Sequence, residues 1–203
     1  MGKVTFNMTM SLDGFVAGPN DSPENGLGDG GGGLFTWYFN GDTEVPISNG
    51  KMVLKVSKQS AGLINESFGK FGAGVWGRRT FDIAHAWGGN PPGSPAFIVT
   101  HNPPKEWIKE GSPFTFITEG VESAIRQAQK AAEDKDVVIC TPSILQQALK
   151  LSLVDEIHVD IAPMLLGDGI SLFDHLGSGP INMECIGNVQ APGVTHLGFR
   201  VIK

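Results

Sequence analysis

The chain has 203 residues, 40% of them hydrophobic and 18% charged, with a formal net charge of −6. That length buries a core without disulfide or metal staples, and the composition is too apolar for a disordered chain. The acidic balance gives no footprint for a nucleic acid, and two cysteines, Cys140 and Cys185, imply no disulfide framework. No apolar run approaches the ~20 residues of a membrane span, and no apolar leader block precedes the first alternating residues. The expectation is a single, mildly acidic cytoplasmic domain over residues 1–203, with neither nucleic acid nor membrane as partner.

Val4, Phe6, Met8 and Met10 alternate with Thr5, Asn7, Thr9 and Ser11, the period of a strand. Residues 19–33 are rich in glycine, asparagine, aspartate and proline and read as a long loop. Lys51 to Phe68 carry Val53, Leu54, Val56, Ala61, Leu63 and Ile64, which predicts a helix. Ala73-Gly74-Val75-Trp76 reads as a buried strand, with a brief helix from about Thr80. Residues 96–100 and 114–117 predict two more strands. Val121, Ala124, Ile125, Ala128, Ala131 and Ala132 recur at helical spacing. Val137-Val138-Ile139 is a short buried strand. Thr141 then stands as N-cap and Pro142 at the first helical position, before the apolar face of Ile144, Leu145, Ala148 and Leu149. Ile157, Val159 and Ile161 alternate with Glu156, His158 and Asp160, and two strands between Met183 and Ile202 are split by Ala191-Pro192-Gly193. Strands alternating with helices predict an α/β fold with a mixed, mostly parallel sheet covered on both faces, closed by an antiparallel C-terminal strand pair.

Gly28 to Gly33 formally match GxGxxG, but about ten loop residues separate them from the first strand, so the match reads as a pliable loop rather than a pyrophosphate turn. Gly77-Arg78-Arg79-Thr80 lies between a buried strand and a helix. Two arginines and a hydroxyl there suit a phosphate, the alternative being a charged surface helix start. Thr100-His101-Asn102 ends a strand, where His101 could meet a phosphate or an adenine or simply close a turn before Pro103-Pro104. Glu156, His158 and Asp160 share one strand face, but at ~3.3 Å per residue the outer two lie about 13 Å apart. Metal bonds of about 2 Å cannot gather all three, so a polar sheet face or subunit contact is expected and no metal site. Asp13 and His85 are conceivable as acid and base, with nothing in the spacing to fix their distance. The sequence lacks HExxH, GxSxG, a Walker loop and CxxC. Hydride transfer, in which a cofactor carries the chemistry, fits that lack.

Met10-Ser11-Leu12-Asp13-Gly14-Phe15-Val16-Ala17-Gly18, Gly77-Arg78-Arg79-Thr80-Phe81, Val99-Thr100-His101, and Leu153 to His158 running on through Pro163 to Gly169 occur in order. Together they resemble the dihydrofolate-reductase-like superfamily, in the branch of the reductase domain of the bifunctional riboflavin-biosynthesis deaminase-reductase, and Gly18 to Gly31 resembles small stand-alone bacterial members. The resemblance covers nearly the whole chain. It implies a three-layer α/β/α sandwich, a homodimer and NADPH lying across the strand C-termini. By position it implies Gly77, Arg78, Arg79 and Thr80 at cofactor phosphates, Thr100 and His101 at the adenosine 2′-phosphate, and Ala17 and Gly18 beside the nicotinamide. It further implies Asp13 on the substrate side, Gly167 and Gly169 in a glycine-rich turn, and an anion site near Thr141 and Ser143. Two departures stand out: Cys140-Thr141 replaces the family's usual glycine pair, and Asn102 stands where a basic residue is common. Dihydrofolate reductase proper fits less well, because Leu34 to Phe39 carries no carboxylate. That segment could floor a flat-ring pocket for a flavin or pterin, or fill the core. The implied activity is NADPH-dependent reduction of a small heterocyclic or sugar-derived substrate, like 5-amino-6-(5-phosphoribosylamino)uracil reductase. The alternative is a degenerate member serving as a ligand-binding or dimeric interaction module.

Overall fold

The computed structural model describes residues 2–47 and 50–203. β1 (Val4–Ser11) and the short β2 (Phe15–Ala17) lead into the loop and then a 3-10 helix, Gly31–Tyr38. A hairpin of β3 (Thr43–Ile47) and β4 (Met52–Val56) follows, then α1 (Lys58–Lys70), β5 (Phe71–Gly77), α2 (Arg78–Ile83), β6 (Ala96–Val99) and β7 (Phe114–Ile117). The second half runs α3 (Val121–Ala132), β8 (Asp136–Ile139), α4 (Pro142–Lys150), β9 (Glu156–Ala162), β10 (Ile170–Ser171), β11 (Met183–Ala191) and β12 (Val194–Val201).

Eight strands form one sheet in the order β11-β12-β9-β1-β8-β5-β6-β7. The six from β9 to β7 are parallel, and β12 and β11 add an antiparallel edge. Successive strand residues face opposite sides. Val75 and Phe97 accordingly enter the core beneath α3 and α4, while their neighbours Trp76 and Ile98 enter a second, aromatic core with Phe81 of α2. A third core joins Trp37, Val45, Leu54, Val56 and Ala61. α1 and α2 therefore cover one face, α3 and α4 the other, which is the expected mixed, mostly parallel α/β fold.

One expected element differs. Residues 52–56 are a strand, and the helix starts only after Ser57, whose hydroxyl accepts from the Ser60 amide as its N-cap. Leu54 and Val56 are buried while Met52, Val53 and Lys55 are exposed. Val53 and Lys55 lie on the face opposite Leu54 and Val56, so the burial alternates with strand pairing to β3 rather than following a helical face. The aromatic segment fills the core in part: Leu34 is fully covered and Trp37 is 2% exposed, whereas Phe39 is 58% exposed. His85 to Gly89 turn left-handed, with φ near +50° at His85, Ala86 and Trp87. Such residues cost roughly 1–2 kcal/mol each. Trp87, packed against Trp76 and Phe81, supplies the offsetting contact.

Candidate functional site

In a parallel sheet every strand delivers its outgoing loop to the same edge, and ligands gather there. Ser11 to Gly18, Gly77 to Thr80, Thr100 to Asn102, Cys140 to Ser143 and Ala162 to Gly169 all leave that edge, directly after β1, β5, β6, β8 and β9. The topology thus brings together the segments that carry the site residues expected from the sequence.

On the β1–β9 side the organiser is Asp13. Its Oδ1 accepts from Ser11 Oγ and, at 3.1 Å, from the Leu166 amide, and its Oδ2 accepts from the Gly167 amide at 2.7 Å. Leu12 N–H donates to Met164 O, and β2 pairs with β10 through Ala17 and Ile170. Gly169 has φ +136°, and a Cβ there would stand 2.1 Å from Ala17 O, so the turn closes on Ala17–Gly18 only with glycine. The Ser11 hydroxyl first, then the Gly167 and Leu166 amides, hold the Asp13 carboxyl below the ordinary carboxylate range. Asp13 is exposed, stays ionised and has its acceptor positions engaged, so it orients the 164–167 turn rather than releasing a proton. It shares no partner with His85, whose Nε2 lies 3.0 Å from Pro23 O.

On the β5–β6 side α2 spans six residues, so charge resides in the two guanidinium groups more than in a helix dipole. Arg78 Nε donates to both Asp82 oxygens, at 2.7 and 2.9 Å, and Arg78 Nη1 donates to Asn102 O. That contact ties the turn after β5 to the turn after β6. Thr100 is buried, its hydroxyl accepting from the Asn102 amide, while His101 is exposed. Arg79 holds Asp21 of the long loop. A cavity of about 430 Å³ opens between these arginines and that loop.

Thr141 begins α4 but its side chain caps nothing on that helix. Its Oγ1 instead accepts from the Gly77 amide at 3.2 Å, and Thr141 is 2% exposed. The departure from a glycine pair therefore joins the β8 and β5 turns by filling the space between them. Ser143 is exposed beside it, and burial pushes the Cys140 thiol up to about 12.

Glu156 and His158 lie beside each other, and Asp160 has a different partner. Glu156 pairs with Lys3 at 2.6 Å, His158 Nε2 lies 3.5 Å from Glu156, and Asp160 accepts from His196 Nδ1 at 2.6 Å. His196 Nε2 faces Ser60 Oγ at 2.9 Å, with the Trp37 ring edge-on to the imidazole. This buried chain from β9 through β12 to α1 was not expected from the sequence. It docks the hairpin-and-helix layer on the sheet; Ser60 is 1% exposed and meets no solvent.

The chain belongs to the RibD C-terminal domain family, whose model matches residues 2–197. It is similar in structure to a Shewanella sp. PV-4 protein assigned by name to riboflavin biosynthesis, at 19% identity and a TM-score of 0.72, with 99% of each chain covered. A pyrimidine reductase-like protein of Corynebacterium diphtheriae matches at 15% identity and a TM-score of 0.61, covering 100% of this chain and 92% of that one. The deaminase/5-amino-6-(5-phosphoribosylamino)uracil reductase of Thermotoga maritima matches at 12% identity and 0.60, covering 99% of this chain and 57% of that one. At these identities the likeness is one of fold. No curated protein matches the chain.

A depressed carboxyl holds its contacts above its unfolded-state pKa and loses them only as pH falls through the lower folded value. Amide exchange at Leu166 and Gly167, corrected for intrinsic rates, is expected to stay slow through the range where free aspartate titrates and to rise only below it. Asp13→Asn raises it at every pH. A rise that tracks free aspartate contradicts the clamp.

Proposed function

We propose that the protein is an NADPH-dependent reductase of a small heterocyclic or sugar-derived substrate, of the type of 5-amino-6-(5-phosphoribosylamino)uracil reductase. The observation that carries this reading is the pair Arg78 and Arg79 bordering a cavity of about 430 Å³ at the C-terminal edge of the parallel strands. The hollow is open to solvent, and its two guanidinium groups offer the donors that a phosphorylated cofactor needs. Arg78, Arg79 and Thr80 would hold its phosphates, and Thr100 with the exposed His101 the adenosine end. The Ala17–Gly18 main chain, fixed by Gly169, would face the nicotinamide, with Gly77, Thr141 and Ser143 lining the turn between. Bound there, NADPH would supply a hydride to an imine or carbonyl carbon. Asp13 keeps the 164–167 turn, with Gly167 and Gly169, in place on the substrate side. Its engaged oxygens leave proton delivery to solvent or to the substrate.

A second reading is a member without reductase chemistry that binds a ligand or a partner. The Thr141 hydroxyl on the Gly77 amide favours it, because that amide is committed within the protein. Calorimetric titration with NADPH separates the two. The reductase reading expects Arg78→Ala to weaken binding at least tenfold; an unchanged dissociation constant rejects the assignment. No enhancement of NADPH emission with the wild type at millimolar cofactor supports the second reading.

The same reading includes a homodimer. β11 is one of the two edges of the sheet, pairs among the described residues with β12 alone, and exposes Met183 and Ile186 at 41% and 38%. A bare, apolar sheet edge invites a second strand. Light scattering on the purified protein is expected to give twice the monomer mass, and Ile186→Lys to shift it toward the monomer. A monomeric wild type at tens of micromolar contradicts this.

A further inference from the structure

The loop after β2 is a folded unit. Gly18 N–H donates to Leu27 O at 2.9 Å and Asp29 N–H to Pro19 O at 2.8 Å. The Asp29 carboxylate accepts from the side-chain amides of Asn20, at 2.7 Å, and Asn25, at 2.9 Å. The pliable loop expected from its glycines is thus tied around one carboxylate.

Folded in this way, the loop presents Asp21 to α2. Arg79 Nε donates to Asp21 Oδ2 at 2.8 Å, and Nη2 donates to Oδ1 at 2.6 Å and to the Asp21 carbonyl at 2.9 Å. The Asp21 side chain is 10% exposed, whereas that of Arg79 is 65% exposed. A second tie joins Pro23 O to His85. The cavity between loop and helix is walled by Asp21 and Pro23 on one side and by Arg78, Arg79, Asp82 and Ile83 on the other.

A guanidinium fork binds carboxylate and phosphate oxygens in the same planar, two-pronged geometry. A carboxylate brings one charge and two oxygens. A phosphomonoester brings about 1.5–2 charges and three oxygens near neutral pH. A phosphodiester, such as each phosphate of a dinucleotide bridge, brings one charge and has no advantage over Asp21. Of the three, the monoester alone brings more charge and more oxygens than a tethered carboxylate that is already in position.

We propose that Arg79 is a guarded site for a phosphomonoester, with Asp21 standing in for the ligand's anion until the ligand displaces it and frees the loop. The inference builds on the reductase reading only for the source of that group, which is either a nucleotide 2′-phosphate or the phosphate of a sugar substrate. Asp21 thereby sets specificity, since ligands that offer Arg79 a carboxylate or a diester leave the loop latched.

Calorimetry with adenosine 2′-monophosphate and, separately, ribose 5-phosphate tests this on the wild type, Asp21→Asn and Arg79→Ala. The expected result is binding of at least one probe, about fivefold tighter in Asp21→Asn, a modest gain because the arginine is solvent-screened. The same probe is lost in Arg79→Ala, and amide exchange in residues 18–31 speeds up when it binds to the wild type. The probe that binds names the source. Equal or weaker binding to Asp21→Asn overturns the proposal, as does absence of binding by both probes. Ribose 5-phosphate binding without NADPH binding keeps this site and removes the reductase reading. NADPH binding that Asp21→Asn leaves unchanged does the reverse.

Discussion

β1 lies between β9 and β8 and is parallel to both, with Phe6 opposite Ile157 on one side and Ile139 on the other. All three side chains are buried in one core. That alignment is the constraint on which the rest depends. A strand slipped by one residue would turn Phe6 onto the face of Thr5 and Asn7. With the register fixed, the loops after β1, β8 and β9 must leave the same edge, and those after β5 and β6 follow because their pairing is also parallel. The site is a consequence of strand direction before it is a matter of particular side chains.

Charge at that edge is balanced internally. Arg78 holds Asp82, Arg79 holds Asp21, and Asp13 holds two backbone amides and a hydroxyl. Each pair has at least one partner a third or more exposed, so each contributes little to stability. The Asp160–His196–Ser60 chain is of a different kind: it is buried, and it holds one layer to another.

Much of this was legible in the chain. Alternation revealed β1 and β9, and the spacing of Val121 to Ala132 revealed α3, because each has one buried face and a single period. The four ordered blocks revealed the family. Residues 52–56 were misread because Val53, Leu54 and Val56 also fit a helical face, and only the pairing with Thr43–Ile47 decides between them. The helix-capping role expected of Thr141 failed for a similar reason. Its hydroxyl finds the Gly77 amide, 64 residues away in sequence, before its own helix. Asp21 with Arg79, 58 residues apart, and His196 with Ser60, 136 apart, are contacts that no local pattern encodes. The Arg78–Asp82 pair, by contrast, follows the i,i+4 rule and could have been read directly.

The central claim is that the C-terminal edge of the parallel strands receives a phosphorylated nicotinamide cofactor against the two arginines. A crystal structure of the protein soaked with NADPH tests it most directly. The account predicts phosphate density at Arg78 and Arg79 and the nicotinamide against Ala17–Gly18. Dinucleotide density elsewhere, with Asp82 and Asp21 still seated on their arginines, would contradict it.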